Sequence, residues 1–254
     1  MTANQMADEL ELKLDRSDSF GSPGYEDFEL SSVLSEAQVL YVKKYFDELN
    51  NRKSKGFEEI EIRNQGFAAL VKDAASCPAS ASQTGVIVNP NVAGKFFDLP
   101  LDHMYTIYEE CTLDKNDCTT NQPVVAYIVA IGHNEMQRFN WSKYKKPFCA
   151  SHGLARVWRS EFSRVTSGIL PSAPATNKRH ELFTDGTFNI VTYHIRYVKN
   201  PANIVVDRNN PTNARNCELD DSTHRVIIDI ATDLMMNRVK EQKMQNIESF
   251  KDLE

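Results

Sequence analysis

No stretch of this sequence approaches the roughly 18 consecutive apolar residues that a membrane-spanning helix needs, and residues 1–15 are acidic where a secretory leader would be basic and then apolar. Neither a membrane protein nor a standard secretory substrate is expected. Cysteine is scarce: Cys77, Cys111, Cys118, Cys149 and Cys217 are odd in number and show no CxxC or metal-type spacing. They read as reduced structural thiols from a cytosolic site of synthesis, not as a disulfide framework. The six histidines, His103, His133, His152, His180, His194 and His224, stand singly, without HExxH or a His-Cys cluster. Ten glycines in 254 residues never gather into a phosphate-cradling loop or a nucleophile elbow. Adjacent carboxylates, Glu109-Glu110 and Asp220-Asp221, are expected to be solvated or to cap helices. The reading is a non-enzyme with no metal and no cofactor.

Proline and glycine are also missing from particular places. Residues 25–77 have no proline and only Gly56 and Gly66, residues 212–254 have neither, and nine of the ten prolines lie between Pro78 and Pro211. Because proline breaks helix interiors and glycine weakens them, the chain should have helical ends and a strand-rich, loop-rich middle. The expected fold class is α+β. An N-terminal αα-hairpin and a C-terminal helix form a bundle from residues 25–76 and 212–254, residues 77–211 form an antiparallel β-rich domain, and residues 1–24 form an arm reaching a neighbour.

What is present sharpens these elements. Ser35-Glu36-Ala37-Gln38 fits a capping box, flanked by Leu34 and Val39 as a staple, which predicts a helix from Ser35 to about Asn50. A second helix is expected from the spacing of Phe57, Ile60, Phe67, Leu70, Val71 and Ala74. Asp220, Asp221 and Ser222 open a C-terminal helix whose stripe is Ile227, Ile230, Ala231, Leu234 and Arg238. Residues 124–131 read as a strand, as do 103–113 and 155–162. In residues 188–198, Val191, Tyr193, Ile195 and Tyr197 should share the buried face. Asp185-Gly186 signals a two-residue hairpin before it, and residues 170–175, with Pro171 and Pro174, an exposed loop.

One segment mixes base-stacking and phosphate-gripping residue types: Arg138, Trp141, Lys143, Tyr144, Lys145 and Lys146. It reads either as a subunit interface or as a surface facing DNA in a channel. Charge is uneven: residues 1–75 carry 9 Lys and Arg against 15 Asp and Glu, a net of −6, while residues 138–225 carry 14 against 7, a net of +7. Such a chain can associate head to tail with copies of itself, and a heterologous contact whose rotation closes makes a ring. The alternative function is a DNA-binding or packaging accessory.

Four segments carry a family resemblance. They are Gly24-Tyr25-Glu26-Asp27 through Leu34-Ser35-Glu36-Ala37-Gln38 to Tyr45-Phe46; Phe96-Phe97-Asp98-Leu99-Pro100 leading to Tyr105-Thr106-Ile107-Tyr108-Glu109; Lys146-Pro147-Phe148 followed by Arg156-Val157-Trp158-Arg159; and Ile195-Arg196-Tyr197-Val198-Lys199-Asn200-Pro201 followed by Cys217-Glu218-Leu219 and Thr223-His224-Arg225. In this order they resemble the ring proteins of crAss-like bacteriophages, over residues 24–240. The resemblance implies a non-catalytic virion subunit of the neck and tail barrel, in twelve copies around a channel that passes genomic DNA. Its implied partners are itself, the portal and other ring and tail proteins. It brings no catalytic residues; Phe97, Leu99 and Trp158 are expected to pack, Pro100 and Pro201 to set turns, and Glu218-Leu219 to lead into the last helix.

Overall fold

The computed structural model describes residues 1–17, 24–46, 61–74, 77, 93–115, 124–142, 144–149, 154–163 and 178–251. In chain order the elements are helices α1 (Ala3–Ser17), α2 (Asp27–Phe46) and α3 (Glu61–Phe67); strands β1 (Val71–Ala74), β2 (Ala93–Asp98), β3 (His103–Lys115) and β4 (Val124–Ala130); helix α4 (Met136–Trp141); strands β5 (Phe148–Cys149), β6 (Ala155–Ser163), β7 (Lys178–Thr184) and β8 (Phe188–Lys199); and helix α5 (Asp221–Lys251). They divide into two compact units, Met1–Leu70 with Asn200–Glu254, and Val71–Lys199. The fold is α+β, helical towards both ends and strand-rich between them.

In the helical unit, α5 starts where its residues dictate. Asp220 is its cap: the Ser222 amide donates to Asp220 Oδ2 at 3.0 Å and the Thr223 amide to the Asp220 carbonyl at 2.9 Å. The buried stripe is Thr223, His224, Ile227, Ile228, Ala231 and Met235, so Ile228 and Met235 take the inward places expected of Ile230 and Leu234. Arg238 is exposed and pairs with Glu36 of α2. Residues 1–24, read as an arm, contain α1, whose Ala3, Met6, Ala7, Leu10 and Leu14 are buried at helical spacing within this unit. Met1 and Lys13 tie it to α5 through Asp221 and Asp229, at 2.5 and 2.6 Å.

The start of α2 is a correction. It begins at Asp27, with the Glu26 carbonyl accepting from Leu30 and the Glu29 carboxylate reaching back to the Glu26 amide at 3.3 Å, the return half of a capping box. Ser35 sits mid-helix for a different reason. Asp27, Ser31 and Ser35, four residues apart on one face, accept from the amides of Arg208, Val206 and Ile204, at 3.0, 2.8 and 3.0 Å. Four helical residues rise about 6.0 Å and two extended residues about 6.6 Å, so the two spacings match and the helix supplies acceptors as a neighbouring strand would. The expected second helix is also shorter: α3 ends at Phe67, and Val71 and Ala74 belong to β1, opposite Val198 and Ile195. Residues 47–60, which would close the αα-hairpin, lie outside the described residues, as do residues 164–177 with Pro171 and Pro174.

The second unit is a curled eight-stranded sheet in the order β1-β8-β3-β4-β6-β7-β2, with β5 on β6. It is mixed, not wholly antiparallel: β4 and β6 run parallel, joined by a crossover that contains α4. Its core holds Phe97, Leu99, Leu113, Val157, Leu182, Phe188 and Ile195 among others. Tyr193, Ile195 and Tyr197 face inward as expected, but Val191 is exposed. The β3–β8 register shifts there, from Thr112 opposite Thr192 to Leu113 opposite Ile190, so Val191 is the extra residue of a bulge and Ile190 takes the inward place. The Asp185-Gly186 turn forms, with Gly186 at φ +81° and the Thr187 amide donating to Asp185 Oδ1 at 2.9 Å. It does not close a hairpin. β7 pairs with β2 and β6, β8 with β1 and β3, and the turn carries the chain from one half of the curled sheet to the other.

Candidate functional site

The basic and aromatic segment lies on the outer face of the β4–β6–β7 sheet. Alternation along the strands puts Val129, Trp158 and Phe183 on that face, and α4 covers them with Met136 and Phe139. The loop after α4 is pinned by its backbone: Arg156 Nη1 donates to the Tyr144 carbonyl at 2.7 Å and Trp158 Nε1 to the Lys145 carbonyl at 2.8 Å. Lys145 Nζ sits over the Phe139 ring, 4.4 Å from its centre. The aromatics at either end of the loop point away. Trp141 is 89% exposed and Tyr144 87%.

Arg138 and Lys145 are exposed beside them and Lys146 is half-buried, whereas Lys143 lies outside the described residues. The structure therefore brings Arg138, Trp141, Tyr144, Lys145 and Lys146 onto one short helix and turn. Next to it the sheet face is uncovered: Tyr127, 72% exposed, stands opposite Arg156 of β6, which stands opposite Phe148 of β5. Arg156 stacks over the Phe148 ring at 5.3 Å. Single exposed apolar residues are ordinary, but Trp, Tyr and Arg gathered on a pinned loop are the composition of an interface anchor.

The strands also bury a polar cycle. Arg159 Nε lies 3.1 Å from Glu109 Oε1, and Tyr193 donates its hydroxyl to Glu109 Oε2 at 2.8 Å. His180 Nδ1 lies 2.6 Å from the Tyr193 hydroxyl, and Arg159 Nη1 donates to His180 Nε2 at 3.1 Å. With the His180 proton on Nδ1, each pairing has one donor and one acceptor. Burial holds the His180 and Tyr193 rings uncharged, depressing the first and raising the second, and it raises Glu109 against the pull of Arg159. His103, whose ring centre is 5.9 Å from that of His180, is pushed down to about 4 by burial and then by Lys178 and Arg159. Glu109 is thus not the solvated carboxylate its sequence neighbourhood suggests; Glu110 points outward and accepts from Tyr108. Only alternation along β3 could have separated the two. Arg159 Nε meets Glu109 as an ion pair, and Arg159 Nη1 also reaches Glu161 Oε1 at 3.3 Å.

Thiol chemistry is quiet, since burial raises Cys77, Cys111 and Cys217 to about 11, 12 and 11. Among the described residues no group of three His, Cys, Asp or Glu is placed to hold a metal ion, and no helix is long and apolar enough to cross a membrane. Phe97, Leu99 and Trp158 are buried, Pro100 accepts from His103 in a turn, and Glu218 accepts from the Ala202 amide just before α5.

The chain has relatives among known proteins. It is 26% identical over 244 residues, 92% of each chain, to Ring protein 4/5 of Bacteroides phage crAss001. Residues 1–246 match the family described as phage tail ring protein 3/4, and the chain belongs to that family of structural tail ring proteins of crAss-like bacteriophages.

Proposed function

We propose that this chain is the repeating subunit of a closed ring in the neck and tail barrel, one tier of the stack that joins the portal to the tail and lets genomic DNA pass. The ring holds twelve copies, assembled from chains made in the host cytoplasm, and it performs no catalysis. The observation that carries this reading is the pinned loop that presents Trp141 and Tyr144 among Arg138, Lys145 and Lys146 in a family of tail ring proteins. The basic middle of one copy lies beside the acidic helical part of the next. Exposed charge pairs contribute only about 0–1 kcal/mol each and are screened over roughly 8 Å, so apolar contacts supply affinity and charge sets register.

The second reading, a surface that grips DNA, rests on the same residues, since exposed aromatics between lysines also suit nucleic acid. Reversing Lys143, Lys145 and Lys146 to Glu separates the two. The ring reading expects slowed or misdirected assembly with an unchanged monomer melting temperature, and partial rescue by matching reversals on the acidic neighbour. Intact rings that lose salt-dependent binding to duplex DNA would assign the segment to the channel instead.

A further inference from the structure

A cavity of about 610 Å³ opens on the helical unit between α2 and residues 203–209. Its wall sets Val205, beside the buried Ile204 and Val206, against Ser31 and Ser35, and it also carries Phe28, 80% exposed, and Ser32, also exposed. Asp27 and Asp207 line it. Arg208, next in the chain, is shared among Asp8, Glu11 and Asp27, while among the described residues the Asp207 carboxylate accepts from the Asn210 amide and from Asn213 Nδ2. An added cation would therefore meet carboxylates there. The Asp27, Ser31 and Ser35 ladder fixes both walls, so the cavity is formed in advance.

We propose that this cavity is the socket for the Trp141–Tyr144 loop of a second copy of the chain, with Lys145 and Arg138 meeting Asp207 and Asp27 at its mouth. The inference rests on the ring reading and adds to it which surfaces meet. Three features match. The socket combines Phe28 and Val205 with serine hydroxyls and the carboxylates of Asp27 and Asp207, and the loop presents two large aromatics with basic residues beside them. The loop's backbone is held by Arg156 and Trp158 and the socket's by α2, so little order is gained, and little entropy lost, on docking. The two surfaces also differ, so the contact is heterologous, and copies so joined propagate head to tail until the rotation closes.

The test is photo-cross-linking in the full chain, with p-benzoylphenylalanine in place of Tyr144 and isotopically light and heavy copies mixed before irradiation. Light-to-heavy cross-links into residues 27–35 and 203–209 are expected, and Ser32→Trp, which fills the socket, should abolish them. Trp141→Ala should weaken self-association on the order of 30-fold, the size of an interface hot spot, without lowering the melting temperature. Oligomers that form normally while residue 144 cross-links to another part of the neighbour overturn the socket and leave the ring reading standing. Cross-links to a different tail protein in the virion overturn it likewise. A chain that stays monomeric at every concentration and with purified portal overturns both.

Discussion

At the scale of single residues, the chain carries buried polar groups whose balance depends on pH. His103 and His180 are held neutral in the fold, with pKa values below the roughly 6.5 of an unfolded histidine. Their contribution is complete above that value and is lost as pH falls through it, because the unfolded chain then binds protons that the fold does not. For His103 the loss continues towards pH 4. Each histidine costs about 2 kcal/mol by pH 5. Glu109, raised by burial, acts in the opposite sense as a single site. Urea midpoints should therefore drop between pH 7.5 and pH 5, and His180→Gln should reduce the drop; an equal drop in the variant contradicts this assignment. Gln38 makes a second case. It is fully buried in α2, and neither amide atom has a hydrogen-bond partner among the described residues. Replacing an unsatisfied amide by an apolar side chain removes a penalty of about 1–3 kcal/mol, so Gln38→Leu should raise the melting temperature. Lowered stability would show that the amide is paired. Its place in the sequence, three residues after Ser35, suggested a cap because a capping box and a mid-helix Ser and Gln look alike until the chain that the helix packs against is known.

At the scale of elements, what could be read locally was read, and what depends on distant partners was not. The Asp220 cap, the run of β4 and the alternation of β8 from Tyr193 onwards follow from neighbouring residues alone. The bulge at Val191, the parallel β4–β6 pair and the separation of β7 from β8 do not, since each is decided by which strand lies alongside. Helix α1 had a signal in Ala3, Met6, Ala7, Leu10 and Leu14, but its acidic composition pointed to an arm. Its docking rests partly on Arg208, which binds Glu11 through both Nη atoms, at 3.2 and 2.8 Å, and Asp8 at 3.0 Å. Arg208→Leu leaves those carboxylates together without their cation, and amide exchange in residues 3–17 should accelerate while β3 and β8 stay protected. Unchanged exchange in α1 would show that its apolar stripe suffices. Gly94 gives a sterically direct case: a Cβ there would stand 2.5 Å from Glu181 Oε1 and 3.1 Å from Phe183 Cε1. Overpacking of this kind costs about 1–3 kcal/mol, so Gly94→Ala should lower the urea midpoint; an unchanged midpoint would mean that Glu181 moves aside freely.

At the scale of the whole molecule, the basic and aromatic segment was legible in the sequence. That its Trp141 and Tyr144 are presented outward by a loop whose backbone is tied to β6 was not legible, because the anchors, Arg156 and Trp158, come from a strand that follows in the sequence. In the proposed ring each copy meets its neighbours through two different surfaces, for which the chain offers a basic, aromatic loop and a cavity that carries Asp27 and Asp207. The central claim is most directly tested by electron cryo-microscopy of the purified full-length chain, alone and on purified portal, with residues 136–149 traced in the density. The account predicts closed rings of twelve copies with Trp141 and Tyr144 at the boundary between neighbours. Closed rings with that loop facing the lumen, or a chain that forms no ring in either setting, would contradict it.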